Sequence, residues 1–172
     1  RTMLFADFLE WAHHTLGLIQ EHQLPFAVKP HPNQLPESRD VVAALQKQYP
    51  GVRWLPQTLS NRTIFASGIR CGVSVYGTIL HELAYHGIVA LAAGDHPHTD
   101  FRIATTPTSV EEYTQRLLNY RDLQLDPDVK NEVLAFYYMH NLYANEGLDL
   151  HLEGKGLREV GPDDSSGLAM LV

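Results

Sequence analysis

Residues 71–93 read CGVSVYGTILHELAYHGIVALAA. Two short apolar runs, 72–75 and 88–92, stand on either side of a segment, 78–86, whose apolar residues have helical spacing. Short apolar runs bounded by glycine or polar residues are typical of buried strands. Because a strand, a helix and a second strand follow each other so closely, this stretch predicts a βαβ unit with two parallel strands.

The same alternation extends toward both ends of the chain. Ser109 and Glu112 have the spacing of a capping box at the start of one further helix. Strands that alternate with helices predict an α/β fold, a Rossmann-like parallel sheet with helices on both faces. The other predicted strands are 26–28, 52–55 and 102–104, and the other predicted helices are 2–22, 36–49, 59–66, 110–118 and 127–142.

These elements divide the chain into two parts. Residues 1–146 are expected to form one domain with packing helices near both of its ends. Residues 147–172 are rich in Gly, Asp and Ser and lack periodicity, so they are expected to form a poorly structured tail. The chain starts at Arg1 rather than at methionine, directly before the predicted helix 2–22, and we therefore expect it to be part of a longer protein.

The composition excludes several classes of protein. A hydrophobic fraction of 44% and a charged fraction of 19% are those of a packed globular domain rather than of a disordered chain. The net charge of -7 and the lack of a Lys/Arg cluster argue against nucleic-acid binding. No apolar run approaches the roughly 20 residues of a transmembrane helix. The single cysteine, Cys71, fits a reducing, cytoplasmic setting.

Three predicted loops, 29–34, 76–78 and 94–99, follow the carboxyl ends of strands, where α/β proteins bind their ligands. The first loop contains Lys29 and His31, and His31 stands between two prolines. A rigidly held imidazole can donate a hydrogen bond to an anion. A histidine in a stiff turn without any ligand is an equally good interpretation of the same residues.

The second loop leads into the predicted helix 78–86. Gly77 permits a close backbone approach, Thr78 adds a hydroxyl, and a helix start presents unpaired N–H groups, so this turn suits a phosphate. Glu82 lies one helical turn after Thr78, and its carboxylate can accept hydrogen bonds from vicinal hydroxyls, as in ribose. The structural alternatives are an ordinary threonine cap and a solvated glutamate.

Two further features predict no chemistry. His81 and His86 are five residues apart, so they do not share a helix face and are not interpreted as zinc ligands. Cys71 adjoins a predicted buried strand, and we interpret it as a core residue rather than a nucleophile. No metal and no cofactor is predicted.

Two stretches resemble the capsular and surface-polysaccharide biosynthesis glycosyltransferases of the GT-B fold, which include bacterial Kdo transferases and polysialyltransferases. Residues 28–32, VKPHP, are similar to the family's His-Pro motif. Residues 72–94, with Gly77, Thr78 and Glu82, resemble its hydroxyl-bearing loop, the glutamate after it and the next strand. Many relatives have paired serines where this chain has Gly77 and Thr78. The likeness covers about residues 1–142.

The resemblance implies the donor-binding, C-terminal half of a glycosyltransferase, whose substrates are a CMP- or UDP-linked sugar and a glycan acceptor. It implies that His31 acts on the donor phosphate in catalysis, that Lys29, Gly77 and Thr78 assist there, and that Glu82 holds the ribose. A complete enzyme would also need an N-terminal GT-B half, which usually supplies the general base, so this half is expected to be inactive alone. The implied location is the cytoplasm, at the inner face of the membrane, a setting compatible with peripheral membrane association.

Two other interpretations remain open. A nonhydrolysing UDP-sugar 2-epimerase has the same architecture and a similar His-Pro-Asn turn, here residues 31–33. The turn around Gly77 and Thr78, followed by the single Glu82, does not reproduce the Ser-Gly-Gly and paired glutamates typical of those enzymes. The third interpretation is a nonenzymatic Rossmann-like binding module that has lost its ligand. The presence of Lys29, His31, Thr78 and Glu82 at one predicted edge argues against it.

Overall fold

The computed structural model describes residues 3–31, 36–75, 77–95, 99–142 and 169–171. Helices and short strands alternate along most of this length. The helices are α1 (Phe8–Glu21), α2 (Pro36–Gln48), α3 (Asn61–Ala66), α4 (Ile79–Tyr85), α5 (Val110–Leu118) and α6 (Val129–Tyr137), and the strands are β1 (Phe26–Val28), β2 (Arg53–Trp54), β3 (Cys71–Ser74), β4 (Val89–Ala92) and β5 (Ala169–Leu171).

The five strands form one sheet in the order β2-β1-β5-β3-β4. Each neighbouring pair in this sheet is parallel. The prediction of an α/β fold with parallel strands is therefore confirmed. All carboxyl ends of the strands consequently lie at one edge of the sheet, which is called the carboxyl edge below.

Helices pack against both faces of the sheet, because successive strand residues point to opposite sides. Val28 and Val73 belong to a core cluster that includes Leu16 of α1 and residues of α2 and α5. Ala90 of β4 belongs to a second cluster with Leu83 of α4. Helix α4, which carries Glu82, therefore lies on the face opposite α1.

The first helix starts later than predicted. Its first residue is Phe8, because the side chain of Asp7 accepts a hydrogen bond from the backbone N–H of Glu10 at 2.8 Å and so caps the helix there. The preceding residues run beside the end of β4, where Met3 forms an antiparallel bridge with Gly94. The prediction of helix from residue 2 is thus wrong at its beginning.

Residues 102–104 are described by the structure, and they do not form the strand that was predicted for them. Only Thr105 reaches the sheet, where its N–H donates to the carbonyl of Ala90 at 2.8 Å in an isolated bridge. The Arg102 guanidinium instead binds the carboxylates of Glu132 at 2.6 Å and Asp126 at 3.1 Å. These ion pairs direct the segment toward α6 and away from the sheet.

Helix α5 has its predicted bounds, and its capping box is half formed. The Ser109 hydroxyl accepts from the N–H of Glu112 at 3.1 Å. The Glu112 carboxylate accepts from the N–H of Thr108 at 2.9 Å rather than from that of Ser109. The reciprocal bond is therefore displaced by one residue.

The last helix packs through its predicted apolar residues. Val129, Val133 and Phe136 of α6 form a third cluster with Ala84 and Ile103. Strand β5 lies inside the stretch predicted as a tail and was not expected from the sequence, while 143–168 lie outside the described residues. Among the described helices, none has both the length and the apolar character needed to cross a bilayer.

Candidate functional site

Lys29 directly follows β1 at the carboxyl edge. Its side chain is only 4% exposed. Burial lowers the pKa of the ammonium, and the nearby carboxylate of Glu82 acts in the opposite direction. No described side chain forms an ion pair or a hydrogen bond with this ammonium. Lys29 and Glu82 therefore interact electrostatically without forming an ion pair.

Glu82 lies in the first turn of α4 and is half-buried. One of its carboxylate oxygens, Oε2, accepts a hydrogen bond from Nδ2 of Asn61 at 3.1 Å. Asn61 is the first residue of α3, which the Ser60 side chain caps. The glutamate is thus held by a neighbouring helix and is only partly exposed to solvent.

Gly77 and Thr78 form the turn that enters α4. Gly77 has a φ of +120°, a conformation that residues with a Cβ rarely adopt. Thr78 occupies the N-cap position, yet its side chain makes no capping hydrogen bond. Its backbone carbonyl accepts from the N–H groups of His81 and Glu82 instead. The exposed hydroxyl of Thr78 therefore does not satisfy the helix start.

His31 lies two residues beyond Lys29 and is exposed. Its backbone carbonyl accepts a hydrogen bond from Nε2 of Gln57 at 2.8 Å. This bond ties the loop after β1 to the loop after β2. Residues 32–35, the rest of the predicted loop, lie outside the described residues.

His31 and Thr78 occupy the same edge of the molecule. Both follow parallel strands, and these strands, β1 and β3, flank β5. The prediction that one ligand reaches His31, Thr78 and Glu82 together stays a prediction.

Asn61 is the residue of this site that the sequence did not indicate. Its contact with Glu82 joins positions 21 residues apart. An asparagine in the first turn of a short helix after a serine is an ordinary sequence at a helix start. No spacing rule links such a residue to the next helix, so the sequence carries no signal for it.

The third predicted loop borders a cavity of about 510 Å³ at the end of β4. Its lining includes Gly94, Asp95, Thr99, Thr106 and Thr108. Residues 96–98 of the loop lie outside the described residues. A smaller cavity of about 320 Å³ lies around Val89, at the beginning of β4 and away from the carboxyl edge.

The remaining candidates occupy structural positions. His81 is buried and packs edge-on against Phe136, with ring centroids 4.6 Å apart, while His86 is exposed and packs on Phe65. Cys71 is 1% exposed, and burial raises the pKa of its thiol to about 12. The interpretation of Cys71 as a core residue is confirmed. Within the described ranges, no three His, Cys, Asp or Glu residues converge as metal ligands would.

Comparisons with known proteins give no match. No protein-family model matches the chain, and no match is found among curated proteins or among solved structures. The function proposed below therefore rests on the residues of the carboxyl edge and on the sequence resemblance.

Proposed function

We propose that this chain is the nucleotide-sugar-binding half of a glycosyltransferase, with a Rossmann-like architecture. The observation that carries the proposal is the buried Lys29, which directly follows β1 at the carboxyl edge and interacts electrostatically with Glu82. Burying an ammonium is unfavourable unless its charge is used or compensated. A buried ionisable group with a shifted pKa, at the edge of the sheet where α/β proteins bind ligands, is a candidate for a functional site.

Each residue has a distinct chemical task in this proposal. When a sugar leaves its nucleotide, negative charge accumulates on the phosphate oxygens, and donors aimed at that charge lower the barrier. His31 and the turn of Gly77 and Thr78 supply such donors from two loops. The pair of Lys29 and Glu82 binds polar groups of the same donor molecule. In this proposal, the binding site for the acceptor and the general base belong to a second domain of the complete enzyme.

Binding of nucleotides to the 172-residue chain tests the proposal directly. We expect CMP, UDP or GDP to bind in calorimetric titrations with a dissociation constant at or below about 1 mM, the range of weak specific ligands. A preference for CMP favours transfer of Kdo or sialyl sugars, and a preference for UDP favours another transferase or the epimerase. Lack of binding by all three at about 10 mM contradicts the proposal and favours the nonenzymatic module.

A pair of histidine variants locates the phosphate contact. We expect His31→Ala to weaken binding of the preferred nucleotide about tenfold, because a hydrogen bond to a charged group contributes about 1.5–3 kcal/mol. His22→Ala is the matched control, since His22 is also exposed but precedes β1 at the opposite edge of the sheet. Equal affinities for wild type and His31→Ala would show that the turn around His31 has a structural role only.

A further inference from the structure

Strand β5 occupies the middle of the sheet, although it is the last described strand of the chain. It pairs with β1 on one side, with Ala27 beside Met170, and with β3 on the other side. Among the described strands, β5 alone joins the pair β2-β1 to the pair β3-β4. It contains three residues, and residues 143–168, which lie outside the described residues, separate it from the rest of the domain. The centre of the sheet therefore depends on a short strand from the far end of the chain.

The connections between the other strands all have the same hand. The chain passes from β1 to β2 through α2, whose Leu45 packs on the same face of the sheet as α1. It then passes in the opposite direction, from β2 to β3 and on to β4, through α3 and α4, which pack on the other face. Reversing both the direction and the face keeps the hand, and such crossovers are almost always right-handed. The centre of the sheet is thus the point from which the strands are laid down in both directions.

Helix α1 has the position of one further crossover helix. It packs on the same face as α2 and leads directly into β1. With the same hand, a helix on this face reaches β1 from a strand on the side of β1 that is opposite to β2. That side is the place of β5. The residues before α1 also lie at the carboxyl edge, where the N–H of Leu4 donates to the carbonyl of Ala93 at 3.2 Å. A strand in the central place would therefore end near the segment that enters α1.

The two neighbouring strands define the kind of segment that this place accepts. Every residue of β1 and β3 is buried, and helices pack on both faces of the sheet. A parallel strand with both faces covered has a nearly continuous apolar sequence. Both neighbours offer their backbone groups to a strand in parallel register. The place therefore fits an uncharged, apolar segment that runs parallel to β1 and β3.

We propose that the space between β1 and β3, called the central slot below, is an acceptor site for an apolar strand that precedes α1 in the complete protein. Strand β5 is a replaceable occupant of this slot. The loop between the accepted strand and α1 would leave the sheet between Lys29, which follows β1, and Gly77, which follows β3. The accepted strand would thus complete the candidate site at its centre. The inference rests on the course of the chain through the sheet and does not require glycosyl transfer.

A strand added before α1 tests this assignment. Residues 168–172, LAMLV, are repeated in front of Arg1 through a Gly-Ser-Gly linker, in a full chain that carries Met170→Pro. Proline is not tolerated inside a central strand, so this substitution removes β5 from the slot. We expect Met170→Pro to lower the urea midpoint, and the added strand to restore it to the wild-type value or above. An added LAPLV segment is the matched control and should restore nothing.

A second proline variant and a measurement on the unsubstituted chain complete the test. Ala27→Pro interrupts β1 beside Met170, and the added strand cannot replace β1, so this variant should stay destabilised with or without it. In the unsubstituted chain with the added strand, hydrogen exchange of the backbone amides shows which segment occupies the slot. We expect protection to pass from Ala169–Leu171 to the added strand, because closing the shorter connection to β1 costs less entropy.

The results separate the possible occupants of the central slot. Restoration by LAMLV alone, together with protection of the added amides in a monomer, supports an acceptor site for a strand before α1. Equal midpoints with LAMLV and LAPLV, or continued protection of β5 in the unsubstituted chain, overturn the proposal. Restoration accompanied by dimers in size-exclusion chromatography shows that a second copy fills the slot and overturns the assignment to a strand before α1. A failure of all nucleotides to bind contradicts only the proposed function.

Discussion

At the scale of single residues, Lys29 has the most unusual environment in the candidate site. The residue is 4% exposed, and the half-buried Glu82 only partly offsets the cost of that burial. Removing a buried charge is often neutral or stabilising, whereas removing its counter-charge leaves it uncompensated. Lys29 and Glu82 should therefore respond to substitution in opposite directions.

We expect Lys29→Met to leave the free energy of unfolding at pH 7 unchanged or to raise it by up to about 1 kcal/mol. Glu82→Gln should lower it by about 1–2 kcal/mol, and the double variant should recover that loss. Urea denaturation measures all three, with Lys47→Met as the control at an exposed lysine. A Lys29→Met protein less stable than Glu82→Gln would show that Lys29 supports the fold.

The lowered pKa of Lys29 also predicts a dependence of stability on alkaline pH. The unfolded chain, in which the lysine has its ordinary pKa of 10.5, holds the proton up to a higher pH than the folded protein does. Between the two pKa values the unfolded state binds more protons, so the free energy of unfolding rises with pH across that window. We expect this rise in wild type and its loss in Lys29→Met, measured by urea denaturation from neutral pH to 10.5.

The sequence anticipated the polar residues of the site but not their mutual arrangement. Lys29 and Glu82 were predicted for their chemistry and for the edge that their strands and helices share. Their proximity, and the hold of Asn61 on Glu82, depend on how α3 and α4 pack, which periodicity does not report. The sequence therefore predicted each of these residues singly, from its chemical type and its place after a strand or on a helix.

At the scale of elements, the packing of β3 against α4 sets the position of Glu82. A Cβ on Gly72 would lie 2.4 Å from Cδ1 of Leu83, which is fully buried in a close-packed core. Only glycine lets the helix approach the strand this closely. The contact consequently determines how deeply α4 sits on the sheet.

Two glycine variants test this contact. We expect Gly72→Ala to lower the free energy of unfolding by about 1–3 kcal/mol, the usual cost of overpacking a core. Gly17→Ala in the middle of α1, where no atom lies within 4 Å of the added Cβ, should instead raise it by about 0.5–1 kcal/mol. Thermal unfolding compares the two proteins. A neutral Gly72→Ala would mean that Leu83 adjusts without cost.

Prediction of the elements succeeded where local signals were sufficient. Helix α5 has its predicted bounds because Ser109 caps it in the way that its sequence indicates. Segment 102–104 has a strand-like pattern, yet Arg102 binds Glu132 and Asp126, both more than 20 residues away in the chain. Those partners lie too far along the sequence for a local pattern to reveal them.

At the scale of the whole molecule, we expect two histidines to make the fold sensitive to acid. Burial lowers the pKa of His81, with a further contribution from His140. Burial also lowers the pKa of His14, which Glu10 partly counteracts. The unfolded chain, with histidine pKa values near 6.5, therefore takes up protons before the folded protein does as the pH falls.

We accordingly expect the free energy of unfolding to decrease as the pH falls below 6.5 toward the lower pKa values of the folded state, and to level off beneath them. Urea denaturation at a series of pH values measures this decrease. The slope should be smaller in His81→Leu and unchanged in His22→Leu, whose histidine is exposed. An unaltered slope in His81→Leu would assign the acid sensitivity to other groups.

The burial of Lys29 beside Glu82 also bears on how the protein would respond to artificial selection. When a library of variants is selected only for survival of heating, the selection does not favour Lys29. The loss of this buried cation is expected to leave the stability of the fold unchanged or to increase it. Codons for methionine or leucine are therefore expected to accumulate at position 29 over successive rounds, while Gly72 is retained. A screen that alternates heating with capture on an immobilised nucleotide would keep Lys29, so the frequency of lysine at this position would record whether binding is under selection.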